Sequence, residues 1–348
     1  MNLEPLPLLT GLLTEYSPSA HEANAVAYLV RAMRALGFEA GVDGAGNAVG
    51  SLGDGPDEIL LLGHIDTVPG YITVENRDGA LHGRGSVDAK GPLATFVSAA
   101  ARAGASEGWK VTVIGAVGEE GNSPGARYVR DHYSPPRMVV IGEPSHWDHV
   151  TLGYKGSMWL DYRLERSMAH SAARTISAAE QAVEFWNQLQ EYAAQRNAGQ
   201  GKFFDQLTPT LRGMHSETDG FCEQARLSIN LRLPLDLDCA EVITQIHAMA
   251  GEAQVEIEDC VPAYRGEKNT PIVRAFLAAI RQAGGQPGFT LKTGTSDMNI
   301  LGPAWGCPIV AYGPGDSDLD HTPEEHILVE EYLKGVEVLA KVLKLVMV

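Results

Sequence analysis

The chain has 348 residues, 44% of them hydrophobic, enough for two globular domains with a sizeable core. A formal net charge of −17, with no Lys/Arg-rich run to offset it, excludes the electrostatics of nucleic-acid binding. No uncharged apolar stretch reaches the roughly 18 residues of a membrane span, and Met1-Asn2-Leu3-Glu4-Pro5 lacks the basic and apolar regions of an export signal, so no membrane partner and a cytoplasmic location are expected.

An amphipathic covering helix is expected after Ser19-Ala20-His21-Glu22, which reads as a capping box, with Val26, Leu29, Val30, Met33 and Leu36 at helical spacing up to Gly37. Strands at 59–62, 111–117 and 138–141 alternate with helices at 92–103 and 124–133. That alternation predicts a mostly parallel sheet covered on both faces. Near Gly153 the pattern changes. Alternating strands at 158–164 and 227–233, helices at 172–195 and 240–250, and a strand at 255–258 describe an inserted α+β domain, with Leu227, Ile229, Leu231 and Leu233 on one face and Ser228, Asn230 and Arg232 on the other. From about 262 the first pattern returns, with a helix at 271–283, strands at 289–291 and 308–312, and a helix at 328–346. The expected domains are therefore 1–152 with 262–348, interrupted by 153–261. Cys222, Cys239, Cys260 and Cys307 show no paired spacing and are expected to be reduced thiols without a role.

Polar chemistry gathers where the strands end. Glu58-Ile59-Leu60-Leu61-Leu62 runs into Gly63-His64-Ile65-Asp66, and ligands of such sheets collect at the strands' carboxyl ends. Two residues apart in an extended segment, the Asp66 carboxylate can brace the His64 ring while its other nitrogen holds a metal. Gly83-Arg84-Gly85-Ser86-Val87-Asp88 opens a second polar loop. Val117-Gly118-Glu119-Glu120-Gly121 and Ile141-Gly142-Glu143-Pro144 close two more strands, and Asp320-His321-Thr322-Pro323-Glu324-Glu325 lies in the returning segment. Singly, each has a bland alternative: Gly-His-x-Asp is common, a Glu-Glu pair usually marks a solvated face, and a lone loop histidine is usually inert. Gly83-Arg84-Gly85 lacks the further glycines or the Gly-Lys-Ser/Thr of a phosphate cradle.

Together and in this order, these motifs resemble the ArgE/DapE-type family of co-catalytic di-zinc amidohydrolases and peptidases, over nearly the whole chain. The resemblance implies a zinc-exopeptidase-like α/β catalytic domain with a ferredoxin-like α+β dimerisation and lid insert. It implies two Zn2+ per subunit, for which Co2+ can substitute, with Asp88 bridging, His64 and Glu143 on one ion, and Glu120 and His321 on the other. Two dications would be balanced by three carboxylates and a bridging hydroxide. Asp66 would orient His64, and Glu119 matches the general base, taking a proton from the bridging water and delivering it to the leaving amine. A non-proline cis peptide is implied at Asp88-Ala89. Met168-Ala169-His170-Ser171 resembles the histidine that stabilises the oxyanion in a partner subunit's site, which implies a homodimer. Asn230 and Arg232 are weaker candidates for gripping substrate.

Within the family, Gly153-Tyr154-Lys155-Gly156 and Lys292-Thr293-Gly294-Thr295-Ser296-Asp297-Met298-Asn299 most resemble the hydrolases that release lysine or ornithine from the γ-carboxyl of the C-terminal Glu of an amino-group carrier protein. Asp297 is then a candidate for the cationic side chain of the released amino acid. Because that carrier is acidic, docking on a chain of −17 calls for a basic patch, drawn from Lys155, Arg163, Arg166 or Arg174. The alternatives are a deacetylase of N-acetylornithine or N-acetyllysine, a dipeptidase, and, more remotely, a metal-free dimeric binding module.

Overall fold

The computed structural model describes residues 4–168 and 175–348. The chain divides into two compact units: Met1–Gly153 with Gly266–Leu291 and Ser296–Val348, and Tyr154–Arg265 with Lys292–Thr295. The second unit thus takes in a short later segment, fastened by the Lys155 amide donating to the Lys292 carbonyl at 3.1 Å.

In the first unit, Asp57–His64 lies between Trp109–Ala116 and Met138–Gly142, parallel to both, and Ile309–Ala311 extends the parallel set. Antiparallel strands Ala48–Leu52 and Glu39–Val42 continue from Trp109–Ala116, and His149–Tyr154 pairs antiparallel with Ile309–Ala311. The inner strands are buried along nearly their whole length, as a sheet covered on both faces requires. Helices Ala23–Ala35, Lys90–Ala103, Pro271–Gln282 and Val329–Val346 contribute Leu29, Phe96, Phe276 and Leu339 to the same core. Gly63 and Gly142 stand opposite each other in register, and a Cβ on Gly142 would fall 2.9 Å from the Gly63 Cα. Two glycines there let the strands converge just before His64 and Glu143.

The second unit runs strand Gly156–Ser167, helix Ala178–Arg196, strands Thr208–Thr218 and Cys222–Leu233, helix Cys239–Ala250 and strand Gln254–Val261. Its sheet order, Thr208–Thr218, Cys222–Leu233, Gly156–Ser167, Gln254–Val261, is that of a ferredoxin-like βαββαβ fold. Tyr162 stacks on Phe185 at 4.6 Å between sheet and helix.

Several local features differ from the sequence reading. Ser19 does not cap a helix: the helix starts at Ala23, preceded by Glu22 without a side-chain cap. A bridge between Pro18 and Thr67 lays residues 17–19 along the His64 loop instead, where Ser19 finds another partner. The capping box of this chain is Ser177 with Glu180, opening Ala178–Arg196. Strand Thr208–Thr218 was not anticipated, since it is an edge strand carrying Pro209 and Gly213, broken by a register shift near Gly213 and largely exposed. Cys239 and Cys260, expected to be reduced thiols, form a disulfide, because the strand after helix Cys239–Ala250 returns antiparallel and brings their Cα atoms to 6.2 Å. Among the described residues, no helix is long and apolar enough to cross a membrane.

Candidate metal centre

Three neighbouring parallel strands end together. His64 is the last residue of Asp57–His64 and pairs with Ala116, so Glu119 and Glu120 emerge beside it on one side; Gly142, paired with Gly63, delivers Glu143 on the other. Asp88 comes from the loop before helix Lys90–Ala103, immediately ahead of a cis peptide at Asp88-Ala89. His321 follows the short 3-10 turn Ser317–Leu319, and its φ of 61° places it in the left-handed region that non-glycine residues adopt uncommonly.

Ligand atoms of His64, Asp88 and Glu143 lie within 4.8 Å of one another, as do those of Asp88, Glu120 and His321. Asp88 belongs to both groups. His64 Nε2 is 3.1 Å from Asp88 Oδ1, and His321 Nε2 is 3.0 Å from both Asp88 Oδ2 and Glu120 Oε1. Ligands on a tetrahedral zinc ion, with bonds of about 2.0 Å, stand about 3.3 Å apart, so these side chains are already close to the spacing an ion would need.

The electrostatics agree. Burial would lower His64, but hydrogen bonds to Asp66 and Asp88 hold it well above its ordinary range, and Asp88 and Glu120 push His321 up to about 10. Burial would raise Asp88, yet the His321 and His64 rings keep it far below the usual carboxylate range. A surplus of carboxylates therefore draws protons onto the histidines of the metal-free protein; bound dications would supply that positive charge instead. Imidazole and carboxylate donors in two triads sharing one carboxylate fit a pair of zinc-like ions.

Glu119 stands apart from both triads. Burial, then the repulsion of Glu143, Asp297 and Glu120 against the attraction of His64, raises its carboxyl well above the ordinary value. Asp66 is fully buried, and its carboxylate is engaged by more than the His64 ring. Oδ1 accepts from the Glu119 amide at 3.0 Å, and Oδ2 from the Glu120 amide at 3.1 Å and the Ser19 hydroxyl at 2.6 Å. The ring's Nδ1 is 3.0 Å from the Asp66 carbonyl and 3.5 Å from its carboxylate. Ser19 was missed as part of this site because its spacing to Glu22 suggested a cap.

Asp297 is buried at the start of helix Met298–Trp305, facing Ser123 and the charges of His64 and Asp66, and burial pushes it up to about 7. Asn230 and Arg232 belong to the second unit: Asn230 is buried, donating to Ser157 Oγ at 2.9 Å and the Met158 carbonyl, while Arg232 donates to Thr295 Oγ1 at 3.2 Å. His170 and Arg174 lie outside the described residues. Lys155 is not available to a docking patch, being buried with its Nζ donating to the carbonyls of Phe203 and Gln206 and to Thr208 Oγ1. Arg163 is exposed beside Asp161, and Arg166 donates to the Ile176 carbonyl.

The model of peptidase family M20/M25/M40 matches residues 60–345, a span that contains every residue of both triads. The chain belongs to this family. As an M20 member it is a metallohydrolase of carbon–nitrogen bonds. It is 44% identical over 337 residues to a protein of Deinococcus radiodurans named LysW-lysine hydrolase, covering 94% of this chain and 92% of that one. It is 30% identical to a LysW-lysine/LysW-ornithine hydrolase of Saccharolobus islandicus, covering 95% and 92%. In fold, it is similar to the M20 metallo-carboxypeptidase Sso-CP2 of Sulfolobus solfataricus, with a TM-score of 0.81 at 17% identity and 99% of each chain covered. A Bacillus subtilis protein described as a dinuclear metal binding peptidase of the M20 family matches with a TM-score of 0.74 at 13% identity, covering 99% of this chain and 97% of that one.

Proposed function

We propose that this M20 enzyme releases lysine, ornithine or both from the γ-carboxyl of the C-terminal Glu of an amino-group carrier protein, in the cytoplasm, using two zinc ions. The observation that carries this reading is the 44% identity, over nearly the full length of both chains, to a protein named LysW-lysine hydrolase, joined to the two triads that share Asp88. His64 and Glu143 would hold one ion, Glu120 and His321 the other, with Asp88 between them. When bound, the ions polarise the amide carbonyl and lower the pKa of water from 15.7 to roughly 7.

The chain's own residues do the rest. Glu119, whose burial and carboxylate neighbours raise its proton affinity, takes the proton of the attacking water and hands it to the nitrogen of the departing amino acid. Asp66, through the Glu119 and Glu120 amides, fixes that base relative to its neighbour. In the same reading Asn230 and Arg232 contact the substrate, and Asp297 faces the cationic side chain of the lysine or ornithine. His170 stabilises the oxyanion of a partner subunit's site, making the enzyme a homodimer with shared sites; mixing His170→Ala with Glu119→Gln protein then restores turnover through hybrid dimers, whereas no recovery after proven subunit exchange points to sites built within one chain. Stripping the protein with a chelator should abolish lysine release from the conjugate and zinc should restore it. Turnover by the metal-free protein would refute the reading.

A further inference from the structure

We propose that Glu325 and Arg84 form a clamp that sets the spacing of the Asp88 and His321 loops, and with it the affinity of the ion assigned to Asp88, Glu120 and His321. The inference rests on the dinuclear reading above. Glu325 Oε1 accepts the backbone N–H groups of Val87 at 2.9 Å and Asp88 at 3.1 Å. Its Oε2 pairs with Arg84 Nη1 at 2.8 Å, and both side chains are buried. The same Nη1 donates to the carbonyl of Thr322 at 3.1 Å, one residue past His321, and Arg84 Nε donates to the Gly70 carbonyl at 2.9 Å. One carboxylate–guanidinium pair therefore holds the backbone of the shared ligand with one hand and the backbone beside His321 with the other.

The fold puts the pair in place. His326–Leu328 pairs antiparallel with Ala80–His82, His326 opposite His82, so Glu325 arrives beside Gly83 and its carbonyl accepts the Gly83 amide at 3.4 Å. Two loops from opposite ends of the sequence are thus joined at the clamp. Among the described residues, Glu325 is not one of those whose donor atoms converge on either ion position. A buried ion pair of this kind is close to neutral for stability when compared with a well-packed apolar pair. Metal ligands, by contrast, must sit within about 0.2 Å of their working distances, and partners that hold ligands typically contribute about tenfold to a hundredfold in affinity. Placement of ligands is where this pair has leverage. Three of the clamp's side-chain contacts fall on the backbone of Val87, Asp88 and Thr322, the fourth reaches Gly70, six residues past His64, and none touches His64 or Glu143 themselves, so the two ions should respond unequally.

The test is calorimetric titration of the metal-free dimer or monomer, as purified, with Zn2+, for wild type, Glu325→Gln and Arg84→Lys, with circular dichroism to follow folding. Both variants should take up two ions, one about tenfold to a hundredfold more weakly than in wild type and the other changed by less than about threefold, and excess zinc should recover kcat with KM unchanged. Wild-type affinities for both ions in folded variants would overturn the clamp, as would equal weakening of both ions. Should Glu325→Gln not fold, Arg84→Lys decides by the same criterion, since it keeps a cation against Glu325 while losing the reach to Thr322 and Gly70; failure of both to fold would make the pair a fold brace and overturn the proposal. A wild-type protein that takes up fewer than two ions would instead sink the dinuclear reading itself.

Discussion

Asp66 grips Glu119 by its backbone: the Asp66 carboxylate accepts the Glu119 amide at 3.0 Å and the next amide, Glu120, at 3.1 Å, leaving the Glu119 side chain free to titrate among Glu143, Asp297 and His64. An acceptor that serves two consecutive N–H groups fixes the direction in which both side chains leave the backbone. Asp66→Asn can accept with only one of its two atoms. The variant should stay folded while kcat falls about tenfold to a hundredfold, the usual cost of losing a ligand-orienting partner. Steady-state kinetics beside a circular dichroism spectrum checks this.

Glu119 is assigned proton transfer and no share in metal binding. Glu119→Gln should therefore keep both ions, by elemental analysis, while turnover drops by about 10² to 10⁴. Loss of an ion would move Glu119 into the ligand set.

The disulfide closes a loop with a sequence separation of 21 residues within the second unit. Removing it, as Cys239→Ser with Cys260→Ser, should lower stability by roughly 3 kcal/mol on a loop-entropy basis. Denaturant unfolding with and without reductant measures the effect, and metal content should not change, because every triad residue lies in the other unit.

Lys155 gives a pH dependence away from the metal centre. Burial lowers its folded pKa to about 8 from 10.5. Between those values the unfolded chain binds more protons than the folded one, so stability rises with pH across that window. Below about pH 8 both states carry the proton and the cost of burying the charge is present in full. Wild type should gain on Lys155→Met as pH rises from 8 toward 10.5, and a gap that stays constant in urea midpoints over that range would contradict it.

The parts of this molecule that were legible in sequence are those written as continuous local pattern. Asp57–His64 is apolar on both faces because helices cover both, and the candidate ligands His64 and Glu143 stand directly at the strand ends. The insert's core strands alternate because a single face is packed. What escaped was non-local or unpatterned. The exposed edge strand Thr208–Thr218 has little buried surface to impose a period. Asn230, on what looked like a polar face, is buried, and its amide is satisfied by Ser157 on the neighbouring strand. Ser19 meets Asp66 47 positions away, and Arg84 and Glu325 meet each other across 241, and nothing in local spacing reveals a partner at that distance. The Cys239–Cys260 pair depends on where a helix and the following strand run side by side, which composition does not encode.

The central claim is the identity of the scissile amide. The most direct measurement is release of free lysine and ornithine by the zinc-loaded enzyme from the carrier-protein conjugate, beside equal concentrations of N-acetyllysine and N-acetylornithine. A strong preference in kcat/KM for the conjugate is the predicted result and would direct attention to exposed cations such as Arg163 as the docking surface. Preference for the acetylated amino acids would contradict the account, making this M20 enzyme a small-molecule deacetylase that uses the same ligands and the same base.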